Sequence, residues 1–364
     1  MDKEKAVGET AICSVGEGHG LRYRGYSIQE LSQSANFEEV AYLLLYGDLP
    51  DRAQLYRFQQ LFANSVILPQ SIKAMLEMLP KTVHPMNILR TVCSLLGTVE
   101  PEYAVGAEPE LAIRTIGVSI TALAYWHHFH LTGKRLIASF KQQLIAEYVL
   151  TVLHQTTVDE SWVWALNIAL ILYAEHEFNA STYAARVTVS TESDFYSGIV
   201  SAIGTLKGPL HGGANEAAMT LISAFKTPEA AKKGILKRLS NHEKIMGFGH
   251  RVYKNGDPRS PIIKSVAHQL TQRLGKTRLF DVAEAIEETM ETEKQLKTNL
   301  DFYSAIVFHC LGIKTDFFTP IFVFSRITGW SAHIMEQRQH NRLIRPLAKY
   351  VGPKNRAFVP MNER

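Results

Sequence analysis

Apolar residues recur at intervals of three and four along almost the whole chain, the period of helices with one buried face. Phe37-Glu-Glu-Val40-Ala-Tyr-Leu43-Leu-Leu-Tyr46 is one such stripe, and Gly47 follows where a helix-ending glycine belongs. The same spacing predicts helices over 51–64, 87–96, 109–131, 140–153 and 161–175. It continues over 194–206, 214–225, 261–274, 282–294, 303–311 and 320–336. Ser27-Ile-Gln-Glu30 has the spacing of a capping box and opens the turn before the first stripe. Strand signal is confined to one weak hairpin, 10–15 and 21–26, around Gly16-Glu-Gly-His-Gly20. Strands that never alternate with helices exclude a doubly wound or barrel fold. The expected class is all-α with one small N-terminal β-hairpin, without fixed-period repeats or low-complexity segments.

Glycine and proline gather at 208–213, at 247–261 and around Pro320. These clusters predict a smaller helical unit, 212–318, set into a larger one formed by 1–211 and 319–364. Loop hinges would let the smaller unit close over a ligand. A length of 364 residues suits more than one domain, and 46% hydrophobic with 20% charged residues is the balance of a soluble globular chain. Lys+Arg 39 against Asp+Glu 35 leaves +4, with no basic run of five, which gives nucleic acid no footing as a partner. Cys13, Cys93 and Cys310 are odd in number and widely spaced, the usage of reduced thiols in a cytoplasmic protein. The amino terminus is charged and lacks an apolar targeting core. The longest uncharged stretch, 115–133, holds three histidines and several Ser, Thr and Gly residues, so it reads as a core helix and not a membrane span.

Cofactor motifs fail on inspection. Gly16-x-Gly-x-Gly20 lacks the dinucleotide spacing and leads into no helix. Gly133-Lys134 has no glycine five positions upstream. His176-Glu177 opens like a zinc motif, but Ala180 stands where the second histidine would be. His127, His128 and His130 have no carboxylate at helical spacing, and Gly329-Trp-Ser331-Ala-His333 lacks the closing glycine of a nucleophile elbow. No metal and no cofactor is expected.

Four segments place titratable residues inside otherwise apolar helical sequence. They are Ala174-Glu-His176-Glu-Phe-Asn-Ala-Ser-Thr182, Lys207-Gly-Pro-Leu-His211-Gly-Gly-Ala-Asn-Glu216, Lys244-Ile-Met-Gly-Phe-Gly-His250-Arg-Val-Tyr-Lys254-Asn-Gly-Asp-Pro-Arg259, and Asn299-Leu-Asp301-Phe-Tyr. Arg326 and Arg345 complete the set. Singly, each has an ordinary structural explanation, such as a capping histidine or an N-terminal acid. Together they resemble the citrate synthase superfamily over nearly the whole chain. His84-Pro-Met-Asn87, Leu172-Tyr-Ala-Glu-His-Glu-Phe-Asn-Ala-Ser181 and the tail Gly329-Trp…Glu336-Gln-Arg-Gln339…Ile344-Arg-Pro346 resemble the bacterial 2-methylcitrate synthases in particular. One departure is Arg251-Val-Tyr-Lys254, where those enzymes often carry Pro-Val-Tyr and citrate synthases more commonly carry this form.

The resemblance implies a two-domain helical fold and an acyltransferase that joins an acyl-CoA α-carbon to oxaloacetate and then hydrolyses the thioester. It implies Asp301 as the base, His211 as donor to the enolate oxygen and His250 as donor to the oxaloacetate ketone. A helix starting at Gly212-Gly213 would keep His211 neutral through its dipole. By the same resemblance, Arg259, Arg326, Arg345 and His176 hold the oxaloacetate carboxylates, as suits the planar guanidinium fork. Arg345 is expected to reach the site from the partner of a homodimer. CoA is expected against Lys244, Ile245, Met246, Gly247 and Phe248, with Lys254 meeting a phosphate. Propionyl-CoA is the expected acyl donor and acetyl-CoA the poorer one, with citrate synthase proper as the near rival. The distant rival, an inactive helical binding protein, is set against the intact His211, His250 and Asp301.

Overall fold

A computed structural model of the chain describes residues 7–16, 20–102, 106–141 and 143–364. Sixteen α-helices are present among them, with one three-stranded antiparallel sheet, so the helical class holds. The sheet runs β1 (Cys13–Gly16), β2 (Gly20–Tyr23), β3 (Tyr26–Ser27) in sequence order, with Cys13 opposite Tyr23. The second predicted strand therefore splits. Arg24 (φ 47°) and Gly25 (φ 90°) both turn left-handed, the conformation of a two-residue hairpin whose twist matches its strands. Residues 17–19, in the predicted glycine-rich turn, lie outside the described residues.

Helices α1 (Ile28–Ser34), α2 (Phe37–Tyr46) and α3 (Arg52–Ser65) start at caps readable in sequence. Glu30 N–H donates to Ser27 Oγ, Gln54 N–H donates to Asp51 Oδ1, and Gly47 ends α2 at φ 100°. Next come α4 (Gln70–Met78), α5 (Pro85–Val99), α6 (Glu108–Thr132), α7 (Ile145–His154) and α8 (Glu160–Tyr173). The predicted 140–153 helix starts only at Ile145, whose N–H is taken by the buried Glu38 carboxylate. Phe140 instead packs from a loop onto Phe62, with ring centroids 4.9 Å apart. The chain continues with α9 (Ala180–Val189), α10 (Phe195–Leu206), α11 (Ala214–Ser223), α12 (Pro228–Ser240), α13 (Ser260–Arg273), α14 (Thr277–Lys294), α15 (Leu300–Cys310) and α16 (Phe318–Gln339). Periodicity missed α4, α9 and α12. In α12 only Ala231 and Ile235 are buried, too narrow an apolar stripe to register. Its start is written in a cap instead, with Ala230 N–H donating to Thr227 Oγ1 and Pro228 at the first position.

The core is built on helices buried around most of their circumference. In α6 the run from Thr115 to Trp126 is buried, and α16 is buried from Phe318 to Ile334. Helix α16 packs against α2, α6, α8, α9 and α10, which makes it the axis of that part of the molecule. Helices α11 to α15 pack chiefly on one another, α12 on α14 and α15 on both α11 and α13. The small sheet has a specific task. Tyr23, fully buried on β2, donates from its phenol to the carbonyl of Glu175 at 2.9 Å and so ties down the chain leaving α8. No helix among the described residues is long and apolar enough to cross a membrane.

Candidate active site

A cavity of about 960 Å³ lies where several pieces of chain converge. The end of α8 and the turn after it bring Tyr173 and His176, and the turn before α11 brings His211. The loop ahead of α13 brings the 244–252 run and Arg259, α15 brings Asp301, and α16 brings Phe322 and Arg326.

His211 meets the cap of α9. Asn179 Oδ1 accepts from Thr182 N–H and from Ser181 Oγ, the arrangement expected of an Asn N-cap. The Ser181 N–H lies 3.3 Å from His211 Nε2 and its Oγ 2.8 Å from the same atom, while the buried Trp330 indole donates to that Oγ at 3.1 Å. A backbone N–H can only donate, so Nε2 is the accepting nitrogen and the proton of the neutral ring sits on Nδ1. Burial first, and the Arg326 charge second, push the His211 pKa down to about 4. Both effects favour the neutral ring, and α11 starts directly after the Gly212-Gly213 turn, as anticipated from sequence.

His250 shows the same logic with the other tautomer. The N–H groups of Val252 and Tyr253 approach its Nδ1 at 3.1 and 3.3 Å, which leaves the ring proton on Nε2. Burial and the Arg259 charge lower its pKa, against a smaller opposing pull from Asp257. His176, 7% exposed, is held well below the usual histidine range by burial, then by Arg259, His250 and Arg326. Its ring centroid lies 5.0 Å from that of His250, and its Nε2 is 3.1 Å from the Tyr253 hydroxyl.

The two buried arginines of the cavity differ. Arg259 forks onto Asp257, Nε to Oδ1 at 2.9 Å and Nη2 to Oδ2 at 2.8 Å. Asp257 also accepts the Arg259 N–H and, at 3.1 Å, the N–H of Leu300. One buried carboxylate therefore fixes an arginine of the cavity and the first residue of the helix carrying Asp301. Arg326, 1% exposed, donates from Nε to the Tyr173 carbonyl at 2.7 Å and lies over the Phe322 ring. No carboxylate comes within ion-pair distance of it among the described residues. Glu175 offsets its charge only through space and burial still lowers its pKa, so an anion entering the cavity would supply a close partner.

Asp301 stands in the first turn of α15, where Asn299 caps the helix by accepting its N–H. Burial raises its pKa from 3.8 to about 6, against a hydrogen bond from Tyr173 that lowers it. The 247–249 loop is stitched to the segment before α15. Gly249 N–H donates to the Lys297 carbonyl at 2.8 Å, and Asn299 N–H to the Gly247 carbonyl at 3.0 Å. Gly247 has φ 90°, and a Cβ there would come 2.8 Å from the Phe302 ring, so only glycine fits.

The family description "Citrate synthase, C-terminal domain" matches residues 3–347. The chain belongs to the citrate synthase family. It is 45% identical over 361 residues to a 2-methylcitrate synthase of Shewanella oneidensis, covering 99% of this chain and 96% of that one. It is 44% identical over 348 residues to citrate synthase 2 of Bacillus subtilis, covering 94% and 93%. Among solved structures it resembles the citrate synthase of Thermoplasma acidophilum in ternary complex with carboxymethyl coenzyme A and oxaloacetate. The TM-score there is 0.93 at 33% identity, covering 99% of this chain and 98% of that one. Like these relatives, the protein is an acyltransferase of the citrate synthase type.

Of the residues singled out in sequence, His176, His211, His250, Arg259, Asp301 and Arg326 meet at this citrate synthase-family cavity, as do Lys244, Ile245, Met246, Gly247 and Phe248. Lys254 and Arg345 do not. Both are exposed and off its lining, Arg345 in an irregular segment after α16. Lys294 lines it and was not singled out; Arg251, noted in sequence only as a departure from the 2-methylcitrate synthase pattern, lines it too. Tyr173, Ser181, Asp257 and Trp330 escaped notice because each reads as an ordinary helix, cap or core position until its partners arrive from elsewhere in the chain.

Proposed function

We propose that the protein condenses propionyl-CoA with oxaloacetate and water to give 2-methylcitrate and free CoA, with acetyl-CoA as a secondary substrate. The observation that carries this reading is the convergence on one cavity of a carboxylate with raised pKa, two neutral imidazoles and two buried guanidiniums. Asp301 takes the α-proton of the thioester; the C–H electron pair moves into the enolate, whose oxygen accepts the Nδ1–H of His211. Neutral imidazole is the right donor, because an imidazolium would hand over its proton and quench the enolate. His250, with its proton on Nε2, polarises the oxaloacetate ketone. The enolate carbon attacks the ketone carbon, whose C=O π pair becomes an alkoxide that takes the Nε2 proton of His250; water then adds to the thioester carbonyl and CoA leaves as the thiol.

Arg326, Arg259 and His176 hold the carboxylates of oxaloacetate, and Arg345 of the second protomer of a homodimer completes the clamp. The exposed Leu343, Leu347, Val351 and Phe358 around and beyond Arg345 suit a tail lying on a partner subunit. CoA lies against residues 244–248, and a cation lining the same cavity is Lys294. Residues 212–318 act as the mobile unit on a body formed by 1–211 and 319–364. No metal or resident cofactor enters the scheme, and the cytoplasm is its setting.

Citrate synthase proper is the second reading, favoured by Arg251-Val-Tyr-Lys254 and by the likeness to the Bacillus subtilis enzyme. Comparing kcat/KM for propionyl-CoA and acetyl-CoA in one thiol-release assay tests both. One methylene is worth about 1–3 kcal/mol, so a preference of about tens-fold is expected. A preference for acetyl-CoA moves the protein to the second reading, and no oxaloacetate-dependent thiol release with either rejects condensation.

A further inference from the structure

Asp301 lies at the end of a chain of hydroxyl groups that the scheme above leaves unused. Tyr173, the last residue of α8 and 2% exposed, brings its phenol oxygen 2.7 Å from Asp301 Oδ1 and 2.6 Å from Ser304 Oγ. An ionised carboxylate only accepts, so the single phenolic proton goes to Oδ1, and the Ser304 hydroxyl shares its proton between the phenol oxygen and the Asp301 carbonyl. The Tyr173 ring is wedged against Phe322, with centroids 4.2 Å apart, and against Phe308 at 6.1 Å. Ser304 stands one turn along α15 from Asp301, 3.2 Å from its carbonyl. The base, the phenol and the serine thus form one arrangement spanning two helices.

We propose that Tyr173, supported by Ser304, is a positioning residue of the condensation: it occupies Oδ1 of Asp301 and leaves Oδ2 to take the α-proton. The inference rests on the reading of Asp301 as the base. Among the described residues no hydrogen bond reaches Oδ2. A fixed donor on one oxygen removes the carboxylate's freedom to present either atom, and it stabilises the ionised form that must exist before the proton can be taken. The other charged and titratable groups around Asp301 are Asp257 and Arg259 ahead of α13 and Arg326 on α16, with His211 and His250 on the same cavity. All stay in place when only the phenolic hydroxyl is removed, so the effect of that removal is separable.

The test is the pH dependence of kcat/KM for the acyl-CoA at saturating oxaloacetate, in wild type, Tyr173→Phe, Ser304→Ala and Asp301→Asn. Losing a hydrogen bond to a charged group moves the acid limb of Tyr173→Phe upward by about one pH unit. At the foot of that limb the rate falls about tenfold. Ser304→Ala, which keeps the phenol, moves the limb the same way by less, and it keeps the test available if Tyr173→Phe fails to fold. The KM for oxaloacetate stays near wild type in both. A limb that does not move, with the rate lowered equally at every pH, overturns the proposal and leaves Tyr173 a packing residue. Condensation surviving in Asp301→Asn overturns the base reading itself and the positioning role with it, an outcome the other variants cannot mimic.

Discussion

Replacing Asp301 by asparagine should make the protein more stable and nearly inactive at once. Burial raises the carboxyl pKa from 3.8 to about 6, so the fold holds the ionised form at a disadvantage. The difference of about two pH units, at 1.36 kcal/mol each, makes about 3 kcal/mol as an upper figure. The sign follows from linkage. A carboxylate with raised native pKa contributes nothing adverse below pH 3.8; its cost grows as pH climbs to about 6 and is constant above. The carboxamide of the variant does not titrate. The stability of the variant relative to wild type should therefore rise between about pH 4 and 6, then level off. Urea unfolding at several pH values, without ligands, measures this difference, while thiol release at about pH 7.5 measures the chemistry. Loss of a general base lowers turnover by about 10²–10⁴. A stability difference independent of pH would refute the buried-carboxylate reasoning, and turnover within tenfold of wild type would refute the base assignment.

Glu38, buried and capping α7, has its pKa raised from 4.5 to about 7, so ionisation makes wild type lose stability as pH rises across that window. Glu38→Gln keeps the acceptor for Ile145 N–H and should flatten that slope, read by thermal melts at pH 5 and 8; equal slopes would contradict it. At Gly329 an added Cβ overlaps Glu175 Oε2 and comes 2.5 Å from the Ala174 carbonyl. Gly329→Ala should destabilise by about 1–3 kcal/mol and weaken oxaloacetate binding, because the displaced backbone carries His176; a wild-type melting temperature would show that the site yields without cost. Arg345→Ala and Asp301→Asn homodimers should each be nearly inactive, whereas a mixed dimer with one lesion per chain should recover towards half of wild-type activity. Confirmed heterodimers without recovery would show that Arg345 does not serve the partner's site.

The parts of this protein decided by neighbours in sequence were legible before any coordinates. Helix period, the Gly47 cap and the turn at Gly208–Gly213 depend on residues within a few positions, so single-chain patterns reveal them. The histidines, the Asp301 segment and the arginines stood out because polar groups interrupt apolar helices, and the family likeness then gave each an expected role. Helix α12 was missed because its apolar face is only two residues wide. Tyr173 was missed because a tyrosine in Leu-Ile-Leu-Tyr looks like core, and most of it is.

The sequence by itself determined the helical class and the residue types available for catalysis, since these follow from local pattern and composition, and its motifs carried the likeness to the family. Only the tertiary structure decided the states of those residues. Tyr173 and Asp301 are 128 positions apart, and Ser181 and His211 are 30 apart; their contacts set which ring nitrogen carries a proton and which carboxylate oxygen is engaged. Asp257 grips both Arg259 and the start of α15, a link between pieces of chain that share no local pattern. The pKa of Asp301 and the neutrality of His211 and His250 are likewise collective. Burial by many helices removes water from each group, and the charges of Arg326 and Arg259 reach them only when the chain has closed around one cavity.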